Sequence, residues 1–205
     1  MKLVIGWLAL VISAAMAVPA QAQPTYIEDK GITYAVNANG QPRISAIATS
    51  TGVPVWTTVL VGSPGVPPDL IPTALALHKT VLYVSAFSDT IARNTGVLFT
   101  IDTASGQILW IALISGGGIF SAATVDKDVV YVTGWALGQP SKTTALNAIT
   151  GQVIWQSNTP HPAFSSPTVD KDTLVVVTGG FSGFPTFLVL FDAATGQILQ
   201  SGAVP

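Results

Sequence analysis

The chain has 205 residues, 49% of them hydrophobic and only 9% charged, against about 25% charged in ordinary soluble domains. That length buries a substantial core, and that composition excludes a disordered tail or a coiled coil. The formal net charge of -2 is too little basic charge for a phosphate-binding surface, so nucleic acid is not an expected partner. With no cysteine, disulfides, thiolate zinc sites, a cysteine nucleophile and covalently attached c-type haem are all excluded.

Met1 and Lys2 precede an uncharged apolar run of 16 residues, 3 to 18, followed by Pro19-Ala20-Gln21-Ala22. The run is shorter than the roughly 20 residues that cross a bilayer. Ala20 and Ala22 stand where a signal peptidase reads small residues, so residues 1–22 read as a secretory signal peptide cut before Gln23. The mature part, 23–205, is expected to be exported, periplasmic or secreted, with no membrane span. No cysteine follows the run to carry a lipid anchor.

From residue 25 onward the chain repeats itself, in units of roughly 25–60, 73–114, 121–158 and 165–202. Each unit opens on a phrase around Lys30, Lys79, Lys127 or Lys171, in which apolar residues, a polar tight turn and alternating β-branched or aromatic residues follow one another. That pattern is a β-hairpin. Each unit closes on a second phrase whose glycines, Gly52, Gly106, Gly151 and Gly196, are spaced by 54, 45 and 45 residues. Such a period suits a four-stranded propeller blade. The longer first gap holds the proline-rich stretch 62–72, expected to be a loop that cannot pair in a sheet. No helical periodicity occurs after residue 23, so the expected fold is all-β, with about four blades of four antiparallel strands.

Asp102, Asn147 and Asp192 lie four residues before their glycines, and a Thr or Ser lies one before; Ala48 replaces the acid in the first unit. This is turn chemistry: the side chain bonds backbone N–H groups two residues on, and glycine supplies a positive φ. Trp56, Trp110 and Trp155 follow four residues after their glycines, where a large flat ring suits packing between neighbouring sheets.

The phrase Ala145-x-Asn147-x-x-Thr150-Gly151-x-x-x-Trp155 resembles the tryptophan-docking repeat of the quinoprotein (pyrroloquinoline quinone) β-propellers, and the resemblance extends over about residues 25 to 200. It implies that each motif tryptophan docks on the next blade, although Gln200 stands in the fourth place. Quinone-binding members of that family hold the quinone under a vicinal disulfide beside a calcium ion, which a chain without cysteine cannot reproduce. Other members bind no quinone and serve as scaffolds. The expected function is therefore a non-catalytic module that binds a protein or cell-envelope partner, with no cofactor and no catalytic or metal residues. The alternative is a fragment or relative of a quinone-dependent dehydrogenase, with quinone and calcium bound.

The remaining chemistry-bearing residues carry no catalytic pattern. Asp126-Lys127-Asp128 and Asp170-Lys171-Asp172 lack the glycine and distal glutamate of a calcium loop and read as hairpin turns. His78 and His161 lie in different repeats and read as surface or loop residues. Gly116-Gly117-Gly118 and Gly179-Gly180 read as sites of close packing. Partner contacts are expected in the loops 62–72, 88–96, 136–142 and 181–186. Family members usually have about eight blades, so four blades predict an open half-ring, completed by a second copy or by further blades.

Overall fold

Alternating strand residues separated by two-residue turns can only fold back on themselves, and the computed structural model shows hairpins throughout. It describes residues 26–37, 40–88, 95–135, 141–179 and 185–204; the signal peptide expected at 1–22 lies outside them. The first blade comprises β1 (Tyr26–Asp29), β2 (Ile32–Asn37), β3 (Arg43–Ala48) and β4 (Pro54–Val59). The second holds β5 (Leu70–His78), β6 (Val81–Ser88), β7 (Thr95–Asp102) and β8 (Ile108–Ser115). After the short β9 (Gly118–Ile119) comes the third, with β10 (Thr124–Asp126), β11 (Val129–Trp135), β12 (Ser141–Asn147) and β13 (Val153–Thr159). The fourth holds β14 (Thr168–Asp170), β15 (Thr173–Gly179), β16 (Thr186–Asp192) and β17 (Ile198–Ala203). Every blade is an antiparallel sheet in sequence order, and no helix occurs among the described residues.

This topology sorts the connections onto two ends. Turns between first and second strands and between third and fourth strands share one end, the turn end. The loops between second and third strands, and all connectors between blades, share the other, the loop end. First strands of neighbouring blades meet, β1 with β5 and β10 with β14, whereas every residue of β17 is exposed. The first strand is therefore inner and the fourth outer.

The core lies between blades rather than within them, since one sheet has nothing else against which to bury its apolar faces. Tyr34 and Ile44 of the first blade pack with Leu82 and Phe99 of the second. Leu98 and Ile114 pack with Val130 and Leu146, and Tyr131 and Ala145 with Val176 and Phe191. Each large side chain so buried contributes about 1.5–3 kcal/mol.

The stretch 62–72 is only partly the loop expected of it. Leu70, Ile71 and Pro72 begin β5 and pair with Ser88, Phe87 and Ala86, with a register shift between Pro72 and Ala74. Proline is admitted because β5 is the inner edge strand, where its missing N–H faces no partner, and because the irregularity absorbs its ring. The glycines at 116–118 act in packing. A Cβ on Gly117 would strike the backbone of Trp135, and one on Gly118 would stand 2.5 Å from Phe87 Cβ. The backbone there threads between the second and third blades, and β9 pairs with β11.

Lys30, Lys79, Lys127 and Lys171 all have positive φ, between 48° and 55°. They are the first loop residues of four hairpins whose right-handed strand twist demands a mirror-image turn. A side chain in that region costs about 1–2 kcal/mol, partly offset by the about 0.5–1 kcal/mol entropy cost that glycine would bring. Lys79→Gly is expected to raise stability by about 0.5–1 kcal/mol in denaturant melts. Thr80→Gly, one residue on where φ is not positive, should lower it.

Candidate functional site

The two repeated motif positions form one contact. The indole of Trp56 in the first blade lies flat on Gly106 of the second, where a Cβ would stand 2.6 Å from ring atom Cδ2. Its Nε1 donates to the Thr103 carbonyl at 2.9 Å. Trp110 covers Gly151 in the same way and donates to the Ala148 carbonyl at 3.0 Å; Trp155 covers Gly196 and donates to the Ala193 carbonyl at 2.9 Å. These glycines serve twice: each has φ near +72° (73°, 71° and 72°), and each must leave room for a ring.

Three further features aim the indole. In every blade the register between third and fourth strands slips just before the motif position, leaving Val55, Leu109, Ile154 and Leu199 unpaired. Such a bulge re-aims the side chain that follows it. Tyr34, Tyr83 and Tyr131, each four residues after its lysine, stand with ring centroids 5.9, 6.3 and 6.0 Å from their own blade's tryptophan. Tyr131 Oη donates to the same Ala193 carbonyl at 3.2 Å. Burial pushes all three phenols above their ordinary pKa, keeping them donors. Finally Thr58 Oγ1 donates to the Gly106 carbonyl at 2.5 Å and Ser157 Oγ to that of Gly196 at 2.6 Å. The tyrosines and bulges escaped sequence reading, although the Lys-to-Tyr spacing recurs in three units.

The receiving turns are built as Asx turns. Asp192 Oδ1 accepts from Ala194 N, Thr195 N and Thr195 Oγ1 at 3.1, 2.8 and 2.8 Å. Asp102 does the same with Ala104 and Ser105, and Asn147 with Ile149 and Thr150. The hydroxyl bond first, then the backbone N–H bond, hold the Asp102 and Asp192 carboxyls below the usual carboxylate range. Ala48 supplies no such side chain, yet its turn closes through Gly52 N to the Ala48 carbonyl at 2.8 Å.

The loop end carries a different surface. Half-buried Phe87, Phe120, Trp135 and Phe164 touch in a chain, with centroid separations of 4.6 Å (Phe87–Phe120), 5.8 Å (Phe120–Phe164) and 5.1 Å (Trp135–Phe164). Beside it a cavity of about 420 Å³ is lined by Trp135, Ser141, Thr159, His161 and Pro162 among others. Among the described residues the buried Ser141 Oγ has no hydrogen-bond partner, and His161, at φ +67°, stacks on Phe187 at 3.8 Å. The repeated Phe-Ser before Thr-Val-Asp-Lys, at 120 and 164, was the available sequence signal for this cluster. Of the expected contact loops, 89–94, 136–140 and 180–184 lie outside the described residues. Asp126-Lys127-Asp128 and Asp170-Lys171-Asp172 stand at the opposite, turn end, as does His78, far from the cluster in topology.

Four-stranded blades locked side by side by tryptophan on glycine define the chain as a β-propeller repeat protein. Residues 94–201, just over half of the sequence, match the family described as outer membrane protein assembly factor BamB. The chain belongs to that family, within the quinoprotein-like repeat proteins. No curated protein is similar enough to match it. Among solved structures it is similar to BamB from Moraxella catarrhalis, at 18% identity and TM-score 0.64, over 90% of this chain and 51% of that one. It is also similar to the quinohemoprotein alcohol dehydrogenase from Comamonas testosteroni, at 20% identity and TM-score 0.66, over 89% of this chain and 35% of that one. The computationally designed Ika4 protein matches at 16% identity and TM-score 0.55, over 81% of this chain and 91% of that one. These likenesses show the fold. The chain spans about half the length of the Moraxella protein and about a third of the dehydrogenase.

Trp155→Ala is expected to cost about 3–5 kcal/mol, whereas Gln200→Ala, at the exposed fourth place, should stay within about 0.5 kcal/mol. Urea melts of the two variants give the comparison.

The depressed carboxyls predict an acid limb. A group whose pKa is lowered on folding stabilises the fold above its unfolded value, near 3.9 for Asp, and that contribution disappears as pH falls through the folded value. Asn147 does the same work without titrating. The double variant Asp102→Asn, Asp192→Asn should therefore fold normally and lose stability less steeply below about pH 4 than the parent, as followed by melts between neutral and acid pH.

Proposed function

We propose that this chain is an exported, non-catalytic binding module that holds a protein partner of the cell envelope at its loop end. The observation that carries the proposal is the chain of half-buried aromatic rings, Phe87, Phe120, Trp135 and Phe164, on the end where all the loops converge. Contiguous aromatics at an accessible site are the usual anchors of protein interfaces, and a rigid sheet scaffold presents them without ordering cost. The family's description as an outer membrane protein assembly factor supports a partner among envelope assembly proteins.

The dehydrogenase reading draws on the second structural likeness. Its quinone and calcium fit the residues poorly. Among the described residues no three His, Asp or Glu side chains converge to hold a cation, and the three motif indoles lie face down on glycines, unable to stack on a quinone.

The test places a photo-crosslinking residue at Phe120, and in a second protein at Thr57 on the far side of the first blade, in cells with a bacterial envelope. A discrete envelope protein captured from position 120 but not from 57 is the expected result, and Trp135→Ala should weaken its capture. Micromolar binding of pyrroloquinoline quinone to the purified protein, with calcium present, would replace this reading with the enzymatic one.

A further inference from the structure

Toward the loop end the three interblade contacts differ, and the one between the third and fourth blades stands apart. In the other two, the residue two before the tryptophan's register partner and the residue four after the tryptophan are buried and apolar, Ile44 with Leu60 and Leu98 with Ile114. In the third they are Thr143 and Thr159, buried to the same degree and bonded to each other at 2.5 Å. Buried Ile119, which precedes the repeated Phe-Ser, gives way to the smaller Ala163. Gly96, where a Cβ would stand 2.6 Å from Ile119, gives way to Ser141. Apolar bulk is exchanged for hydroxyls and space, and the cavity of about 420 Å³ lies there, lined by Ser141 and Thr159.

Packing does not account for two further features. Ser141 Oγ and Thr178 Oγ1, on residues 3% and 1% exposed, have no hydrogen-bond partner among the described residues. Thr178 stands on the face of β15 that carries Leu174 and Val176 against the third blade, at a position held by Ala86 in the second blade and Gly134 in the third. Unpaired buried hydroxyls destabilise a fold, so two at one contact point to a ligand that pairs with them. His161, which also lines the cavity, has φ +67° six residues after Trp155, where the other two contacts have Gly62 and Gly116 at +99° and +89°. A side chain kept in the left-handed region in place of glycine is strain of the kind that gathers at functional sites. Its ring stacks on Phe187, the register partner of Thr178, with 12° between the planes. The stack fixes the imidazole at the cavity wall and leaves its edge nitrogens for hydrogen bonds.

The lining defines the ligand. Its hydroxyls, the Asn158 amide and the neutral His161 imidazole can each donate and accept, and it includes no Asp, Glu, Lys or Arg. Trp135 and Pro160 add apolar walls. A charged ligand would find no counter-ion there, and a wholly apolar one would leave the hydroxyls unpaired. The volume falls within the range of about 300–1,000 Å³ usual for small-molecule sites. We propose that the cleft between the third and fourth blades binds a neutral mono- or disaccharide, its hydroxyls bonding Ser141, Asn158 and His161 and its apolar ring face lying against Trp135. The site adds a small-molecule ligand to the loop end and does not depend on the protein partner proposed above.

In proton–nitrogen spectra of the full chain, at least one of glucose, galactose, N-acetylglucosamine and cellobiose, at millimolar concentration, is expected to shift the amides of Ser141, Thr159 and His161 saturably. Glucuronate, which adds a carboxylate, should shift none of them. Ser141→Ala removes one unpaired hydroxyl; it should weaken the binding about tenfold, the loss of one hydrogen bond, and raise the melting temperature without sugar. Thr143→Leu with Thr159→Ile, which restores the apolar pair of the second blade, should abolish binding and also melt higher. No shift with any of the neutral sugars, shifts that map elsewhere, or equal shifts with glucuronate would overturn the proposal. So would a Ser141→Ala protein that binds as the parent does or melts lower, because the hydroxyl would then be structural. Crosslinking from position 120 reads the protein partner without any sugar, so each proposal can fail while the other stands.

Discussion

Everything in this structure depends on a tryptophan ring lying on a glycine of the next blade. A four-stranded sheet of this size cannot stand alone, because both faces are needed to bury its apolar residues and neither can close on itself. The lock at the outer edge sets the spacing and angle at which the next blade arrives, and the three interblade clusters then fill behind it. Its chemistry is economical. One backbone carbonyl, already oriented by an Asx turn, receives both an indole N–H and, from Tyr131, a phenol. The glycine beneath admits the ring and closes the turn with the same absent Cβ.

This coupling explains why residues that look independent recur together. The aspartate or asparagine does not touch the tryptophan of its own unit. It shapes the turn on which the tryptophan of the preceding unit rests, so Asp102 serves Trp56 and Asn147 serves Trp110. The bulge belongs to the same device. Because side chains alternate strictly along a strand, a slip of one residue exchanges the two faces. The extra residue at Val55, Leu109 or Ile154 puts the following indole on the side facing the next blade. Trp155, at 9% exposure, beside Ile154, at 50%, shows how completely one position separates the two environments.

Much of the architecture was legible because it repeats. Four copies of a glycine-centred phrase give the period, and strand alternation around the lysines gives the hairpins. What the sequence did not disclose is which other residues come together around the tryptophans and at the loop end. The tyrosines read as ordinary strand aromatics, since their partners lie in the same blade but far along the chain, Tyr34 against Trp56 and Tyr83 against Trp110. Pro72 argued against pairing, and only the inner-edge position of β5 makes it compatible with a strand. The aromatic surface at the loop end showed in the sequence only as the repeated Phe-Ser at 120 and 164: Phe87 and Phe120 belong to different hairpins, and nothing in their spacing says that they meet.

The outer strands carry a cost that the bulges also answer. β4, β8 and β13 are edges, with apolar Val55, Leu109 and Ile154 at least half exposed, and with only 9% of the residues charged the usual protection by lysine is scarce. A flat apolar edge would template pairing with any other strand. Here each edge is broken at the unpaired residue, so a strand added from outside would lose register at that point and could not extend the ladder across it. The edge hydroxyls and amides beyond it turn inward: Thr58 and Ser157 bond the next blade, and Gln156 Nε2 bonds Thr144 at 2.9 Å. The irregularity that aims the tryptophan thus also interrupts the edge, and a chain with few charges keeps its blades joined to their own neighbours rather than to strands of other molecules.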